Sequence, residues 1–166
     1  MSIHTLRREQ FVPRPLKEVF TFFADATNLE TITPAWLNFQ IRTPPPIDMH
    51  RGARLEYRLK WHGLPIRWTT EIVAWNPPHG FTDVQMRGPY RLWHHVHIFL
   101  AEAEGTRMMD VVTYQLPLGP VGDLAHALTV RRDLQRVFDY RWQVIEGLFG
   151  PPIPARPEPT SPEPAR

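Results

Sequence analysis

Hydrophobic and polar residues alternate along most of the chain between residues 54 and 116. Arg54–Trp61 alternates strictly, which is typical of a strand with one buried face. Turn residues such as Gly and Pro separate the segments that share this pattern, and they predict an antiparallel sheet of about seven strands. The predicted strands are Ile3–Phe11, Asn38–Arg42, Arg54–Trp61, Ile66–Trp75, Phe81–Met86, Tyr90–Glu102 and Thr106–Leu116.

Apolar residues at helical spacing follow the first predicted strand. Leu16–Phe23 carries them at steps of three and four, directly after Pro15, which suits the first turn of a helix. A second short helix is predicted to run to Thr31, with Asp25 or Thr27 as its N-terminal cap.

A much longer helical pattern lies near the C-terminus. Val121–Phe149 contains no proline, and its apolar residues fall mostly at three- and four-residue steps. Gly119-Pro120 precedes it and Gly150-Pro151 ends it. These signals predict one helix of about 40 Å, long enough to lie across a whole sheet.

Proline separates the chain into two parts. The 166 residues include 19 prolines, and seven of these lie in residues 151–166. That segment has too few apolar residues to form a core, which predicts a disordered, Pro-rich tail. Residues 1–150 are predicted to form one domain, a typical length for a single core.

Composition narrows the class of protein. The absence of cysteine excludes disulfides and thiolate zinc sites. The formal charge is +2, and no clustered basic face suggests a nucleic-acid partner. The sequence has no signal-peptide pattern and no apolar run of about 18 residues, so we expect a cytoplasmic protein without stable membrane insertion.

Four segments carry a resemblance to a known superfamily. They are Phe11–Phe20, Phe23–Leu29, Ile72–Pro78 followed by Phe81, and Gly88-Pro89-Tyr90 followed by Trp93–Phe99. The chain resembles the START, polyketide cyclase-dehydratase and birch-pollen-allergen superfamily (SRPBCC), in particular its small bacterial ligand-binding members. The resemblance implies an α+β helix-grip fold, in which a curved antiparallel sheet wraps around the long C-terminal helix and encloses a cavity.

Strand pairing predicts which residues face that cavity. Tight turns would pair Asp83 with Trp93 on one side of the sixth strand, and His97 with Asp110 on the other. We assign the face with the larger aromatic residues to the interior. The opposite face is unusually apolar, so a partner subunit in a homodimer is one interpretation. The predicted cavity residues are Tyr57, Trp68, Asp83, Gln85, Trp93, His95, His97, Asp110 and Tyr114.

The pair of His97 and Asp110 is the sharpest candidate for chemistry. A carboxylate orients an imidazole and favours its charged form, so the pair could serve as an acid-base dyad. It could equally be a structural pair, or contact a ligand. Although His95 and His97 point the same way, their spacing does not demand a metal, and we expect neither metal nor cofactor.

Basic residues on the C-terminal helix alternate with acidic ones. This pattern predicts a solvated face held by ion pairs, with an anionic ligand or a membrane surface as the alternative partner of the basic residues. The basic residues of this predicted face are Arg131, Arg132, Arg136 and Arg141, and the acidic ones are Asp133 and Asp139.

Three functions remain open. We expect a protein that binds a small hydrophobic or amphipathic molecule between the sheet and the C-terminal helix. The first alternative is an enzyme of the polyketide cyclase or dehydratase type that uses His97 and Asp110. The second is a stress or assembly protein whose cavity is filled by side chains. The superfamily's fold carries all these activities, so the resemblance does not decide among them.

Overall fold

The computed structural model describes residues 2–150, and the predicted tail, residues 151–166, lies outside the described residues. The strands are β1 (His4–Val12), β2 (Gln40–Ile41), β3 (Arg54–Trp61), β4 (Leu64–Asn76), β5 (Gly80–Arg87), β6 (Leu92–Glu102) and β7 (Gly105–Gln115). The helical elements are α1 (Leu16–Ala24), two 3-10 turns (Ala26–Leu29 and Ala35–Leu37), α2 (Gly119–Ala125), a π-helical turn (His126–Val130) and α3 (Arg131–Phe149). We call α2, the π-helical turn and α3 together the C-terminal helix.

All seven strands form one antiparallel sheet in the order β1-β7-β6-β5-β4-β3-β2. This confirms the predicted sheet, and the strict alternation of Arg54–Trp61 coincides with β3. The predicted second strand is shorter than expected, because only Gln40–Ile41 pairs with β3. Since the strands at the two ends of the order, β1 and β2, do not pair with each other, the sheet is open and can curve around a helix.

The register of β6 agrees with the prediction on one side and differs on the other. His97 pairs with Asp110 on β7, as predicted. Asp83 on β5, however, pairs with His95 rather than with Trp93. The prediction of a tight turn between β5 and β6 was wrong, because the segment that connects these strands is longer. A shift of two residues leaves every side chain on its predicted face, whereas a shift of one would have reversed the faces.

The short helices after β1 begin where the sequence predicted. Pro15 precedes α1, whose buried face is made by Val19, Phe20 and Phe23. The second helix is a 3-10 turn, and the Asp25 carboxylate accepts the hydrogen bond from the backbone N–H of Thr27 at 2.9 Å.

The C-terminal helix is interrupted, although the sequence predicted a single regular helix. A π-helical turn at His126–Val130 joins α2 to α3. Within it, the Thr129 hydroxyl donates to the backbone carbonyl of Ala125 at 3.0 Å, a side-chain bond that competes with regular helical bonding. The helix ends at Gly150, where φ is 81° and the N–H donates to the carbonyl of Glu146.

An apolar cluster fills the space between α1, the sheet and the end of α3. Its main members are Phe20, Phe23, Phe81, Phe99 and Ile145, and we use the name apolar cluster for these five. Phe99 and Ile145 are fully buried. Burial of such a side chain contributes about 1.5–3 kcal/mol, so this region anchors the helix against the sheet.

The outer face of the sheet remains apolar and partly exposed. Val84, Val96, Ile98 and Val111 are half-buried there, and Met86 is exposed. The interpretation that a homodimer covers this face stays a prediction. Within residues 2–150, no helix has the length and hydrophobicity to cross a membrane.

Candidate functional site

A cavity of about 250 Å³ lies between the concave face of the sheet and the C-terminal helix. Side chains from β3, β4, β5, β6, the 3-10 turns and α3 line it, and most of them are apolar or aromatic. The lining residues include Tyr57, Trp68, Asp83, Tyr90, Trp93, His95, His97, Asp133, Val137 and Arg141.

Aromatic rings build one wall of this cavity. Trp68 and Trp93 meet edge to face, with ring centroids 5.1 Å apart, and Tyr90 lies 4.9 Å from Trp93. The amide of Gln85 holds Tyr90 in place, because it donates to the Tyr90 carbonyl at 2.7 Å and accepts from the Tyr90 N–H at 3.2 Å. Gly88 leaves the room that this amide needs, since a Cβ there would clash with Gln85. The wall is therefore held rigidly by the β5–β6 connection.

Ionisable side chains form the part of the cavity wall next to these rings, since Trp93 and His95 are neighbouring inward residues of β6 with ring centroids 6.3 Å apart. We call Asp83, His95, His97, Asp110 and Arg141 the polar cluster. Adjacent strands supply the first four, because alternating inward positions of β5, β6 and β7 lie side by side in the sheet. Arg141 comes from α3, on the other side of the cavity.

The distances within the polar cluster assign its protons. His97 places Nε2 3.0 Å from Asp83 Oδ2 in a hydrogen bond, and Nδ1 3.0 Å from Asp110 Oδ1 in a close charge contact that lacks hydrogen-bond geometry. His95 places only Nε2 close to a carboxylate, at 2.9 Å from Asp110 Oδ1, while its Nδ1 lies 3.5 Å from Asp83 Oδ2. An ionised carboxylate only accepts hydrogen bonds. The geometry therefore favours a charged His97 and a neutral His95.

The electrostatic environment shifts the two histidines in opposite directions. Burial and the charge of His97 lower the pKa of His95 against the pull of Asp110. Burial opposes charge on His97 too, but Asp110 and Asp83 outweigh it and raise the pKa of His97.

Both carboxylates of the cluster stay ionised. Burial works against this for Asp110, yet His95 and His97 hold its pKa well below the usual value. Burial also opposes ionisation of Asp83, but the hydrogen bond with His97 and the charges of His97 and Arg141 lower its pKa. With Arg141 and His97 charged, the cluster has no net charge, which makes its burial tolerable.

Arg141 is the poorly satisfied member of the cluster. Its side chain is buried, and its Nη1 lies 3.7 Å from Asp110 Oδ1, too far for a hydrogen bond. Among the described residues, neither Nε nor Nη1 finds a hydrogen-bond partner. The guanidinium also lies over the Phe138 ring, 4.8 Å from its centroid. Arg141 therefore lines the cavity with two nitrogen atoms, Nε and Nη1, that donate no hydrogen bond to the described residues.

A second buried carboxylate connects the helix to the β3–β4 hairpin. Asp133 accepts from Trp61 Nε1 at 2.8 Å and lies 2.7 Å from His62 Nε2. Asp133 lines the cavity, as does Trp61. This contact fixes the start of α3 against the sheet.

Tyr57 lines the cavity beside the polar cluster. It pairs across the sheet with Trp68 and packs against Phe39, with ring centroids 5.1 Å apart. Burial and the charge of Asp83 raise the pKa of Tyr57, so the phenol stays protonated and can donate a hydrogen bond into the cavity.

Six of the nine residues predicted from the sequence line the cavity, and three do not. Those that line it are Tyr57, Trp68, Asp83, Trp93, His95 and His97. Gln85 supports Tyr90, and Asp110 lies behind the two histidines. Tyr114 is buried among aromatic side chains, including Trp93 at 6.2 Å between ring centroids.

The sequence reasoning missed Arg141 and Asp133. Both were assigned to a solvated helix face, and this was wrong, because both are buried, whereas Arg131, Arg132 and Arg136 are exposed as expected. A signal was present. Arg141 falls at helical spacing within the apolar series Leu134, Phe138 and Ile145, so it shares their buried face.

The polar cluster also contains a set of atoms that could hold a metal ion. Asp83, His95 and His97 each offer a donor atom, and these atoms lie within 4.8 Å of one another. An ion would have to displace a proton from His97 Nε2, which now faces Asp83. The expectation that the protein uses no metal stays a prediction.

Neither a protein-family model nor a curated protein sequence matches the chain. Solved structures do. The protein TTHA0849 from Thermus thermophilus matches with a TM-score of 0.67 at 18% identity, over 89% of this chain and 100% of that one. The Zhui aromatase/cyclase from Streptomyces sp. R1128 matches with a TM-score of 0.70 at 14% identity, over 89% and 93%.

A plant structure agrees with these two. The ginseng major latex-like protein 151 from Panax ginseng matches with a TM-score of 0.65 at 13% identity, over 90% of this chain and 99% of that one. The chain has the helix-grip fold. The resemblance drawn from the sequence is thus confirmed at the level of the fold. At these identities a helix-grip neighbour shows architecture, while function has to be argued from the site.

Proposed function

We propose that the protein binds a small, largely apolar molecule with a polar end in the cavity between the sheet and the C-terminal helix. The observation that carries this proposal is the cavity itself, about 250 Å³ of space lined mostly by apolar and aromatic side chains. Ligand sites combine such a lining with a few convergent polar groups. The volume of this cavity lies just below the usual range for ligand sites, about 300–1,000 Å³.

The two walls of the cavity suit the two parts of such a ligand. Trp68, Tyr90 and Trp93 offer flat apolar surfaces for a ring or an alkyl chain. The polar cluster beside them offers hydrogen-bonding groups that lie inside the protein. The open volume speaks against the alternative of a stress or assembly protein with a filled cavity.

Native mass spectrometry of protein purified from its own host would test the proposal directly. We expect a species heavier than the bare chain by the mass of one small molecule. N-phenyl-1-naphthylamine, an apolar dye that fluoresces in apolar surroundings, provides a second measurement, and it should bind at one site per chain.

A pair of variants locates this binding. Val137 lines the cavity, so Val137→Trp should occupy the space and weaken dye binding at least tenfold. Leu148 lies on the same helix and is exposed, so Leu148→Trp is the matched control and should bind as the wild type does. Equal dye binding by both variants would contradict a ligand site in the cavity.

A cyclase or dehydratase is the second candidate function. It is favoured by His97, which lines the cavity between Asp83 and Asp110, and by the likeness in fold to an aromatase/cyclase. A charged His97 would act as the acid that protonates a leaving hydroxyl group, which departs as water, while the neutral His95 beside it would accept the proton from an acidic C–H group of the ligand. If a ligand is recovered, His97→Gln should abolish its conversion in an enzyme, whereas a binding protein would release the ligand unchanged whichever residue is present.

A further inference from the structure

We infer that Arg141 is the anchor for an anionic oxygen of the ligand, such as a carboxylate, so that the molecule bound in the cavity is an apolar acid. This inference rests on the proposed function and adds the chemical class of the ligand.

The Arg141 side chain is buried without a full set of hydrogen bonds to the described residues. The residue is only 8% exposed, yet Nε and Nη1 lack hydrogen-bond partners in the part of the chain that the structure describes. Leaving buried donors of a charged group without hydrogen-bond acceptors lowers the stability of the folded state. Native proteins rarely keep such a group unless something else satisfies it.

The carboxylates next to Arg141 already contact the two histidines. Asp110 Oδ1 lies within 3.0 Å of both imidazoles, and Asp83 Oδ2 lies 3.0 Å from His97 Nε2. Arg141 reaches Asp110 only at 3.7 Å. The polar cluster therefore balances the charge of Arg141 without using its hydrogen bonds, and an oxygen from a ligand can take them.

Arg141 is also in a position to reach a ligand in the cavity. Arg141 lines the cavity together with Asp83, His95 and His97, and the aromatic wall adjoins this group where Trp93 meets His95. A planar guanidinium matches the geometry of a carboxylate better than an ammonium group does. An apolar acid would place its ring or chain against Trp68 and Trp93 and its oxygen at Arg141.

Two dyes with one skeleton test the inference. N-phenyl-1-naphthylamine is neutral, and 8-anilinonaphthalene-1-sulfonate has the same two ring systems with an added anionic group. We expect the wild type to bind the anionic dye more tightly. In Arg141→Met the affinity for the anionic dye should fall at least tenfold, since the variant loses a hydrogen bond between charged groups, while the neutral dye should bind within twofold of the wild type.

Arg132→Met is the matched control, because Arg132 lies on the same helix and is exposed. It should leave both affinities unchanged, which separates an anchor from the general positive charge of α3. Because Arg141 also balances the buried charge of the polar cluster, Arg141→Met is expected to be less stable than the wild type, so both dyes are titrated where circular dichroism shows each variant to be folded.

The outcomes separate the two proposals. If the neutral dye binds the wild type but Arg141→Met weakens both dyes alike, the cavity binds ligands and the anchor is wrong. An affinity for the anionic dye that Arg141→Met leaves unchanged would contradict the anchor in the same way. If the wild type binds neither dye, the proposed function and the anchor both fail.

Discussion

The inward side chains of one strand, β6, enter two regions of opposite character. Phe99 joins the apolar cluster, where Phe20 meets it edge to face with centroids 5.8 Å apart. Two and four residues earlier, His97 and His95 join the polar cluster with Asp83 and Asp110. The regions touch, because Phe81 stacks on His97 with ring centroids 4.1 Å apart.

The two regions are stable for different reasons. Every member of the apolar cluster contributes by leaving water, so the loss of one methyl group has a local and limited cost. The polar cluster is stable only as a set, because each buried charge depends on a neighbour of opposite charge. Such a set is a costly way to fill a core, and its position at a cavity is what makes it a candidate site.

The largest expected effect is the removal of one charge from the polar cluster. Asp110→Asn keeps the shape of the side chain but leaves His97 and Arg141 without their shared carboxylate. We expect a loss of about 3–5 kcal/mol in the free energy of unfolding at neutral pH, measured in urea. A loss below about 1 kcal/mol would mean that the cluster is not held together by charge.

The next effect is on how stability depends on pH. Because the folded protein raises the pKa of His97, its contribution is fully present below about pH 6.5 and is lost as the pH rises through the folded value. Asp110 acts in the opposite sense: its contribution is present above about pH 3.9 and is lost as the pH falls through its lowered folded value.

His97→Gln should therefore remove the decline in stability above about pH 6.5, as urea unfolding at a series of pH values would show. His79→Gln is the control, since His79 is exposed and lies outside the cluster. An alkaline decline that survives in His97→Gln would show that another group causes it.

The smallest effect is expected in the apolar cluster. Ile145→Val removes one methyl group from a fully buried side chain, which should cost about 0.5–1.5 kcal/mol. The cost should be the same at every pH at which the wild type is folded, because no charge depends on Ile145. A pH-dependent cost, in the same urea measurements, would show that the two regions are energetically coupled.

The sequence predicted the strands and their faces well because both follow from a period of two. The pairing of His97 with Asp110 was predictable from a two-residue turn between β6 and β7. The pairing of Asp83 was not, because the β5–β6 connection is held by the side chain of Gln85 rather than by a standard turn. The length of a turn cannot be predicted from composition, whereas a strand can be predicted from its hydrophobic period.

By itself, the sequence determined the helix-grip order of elements and six of the residues that line the cavity, since hydrophobic periodicity acts locally. Only the tertiary structure placed Asp83 between two histidines and brought Arg141 across the cavity to Asp110. The physical reason is that such contacts join elements far apart in the chain. Their distances depend on how the sheet curves around α3, and no local pattern of residues specifies that curvature.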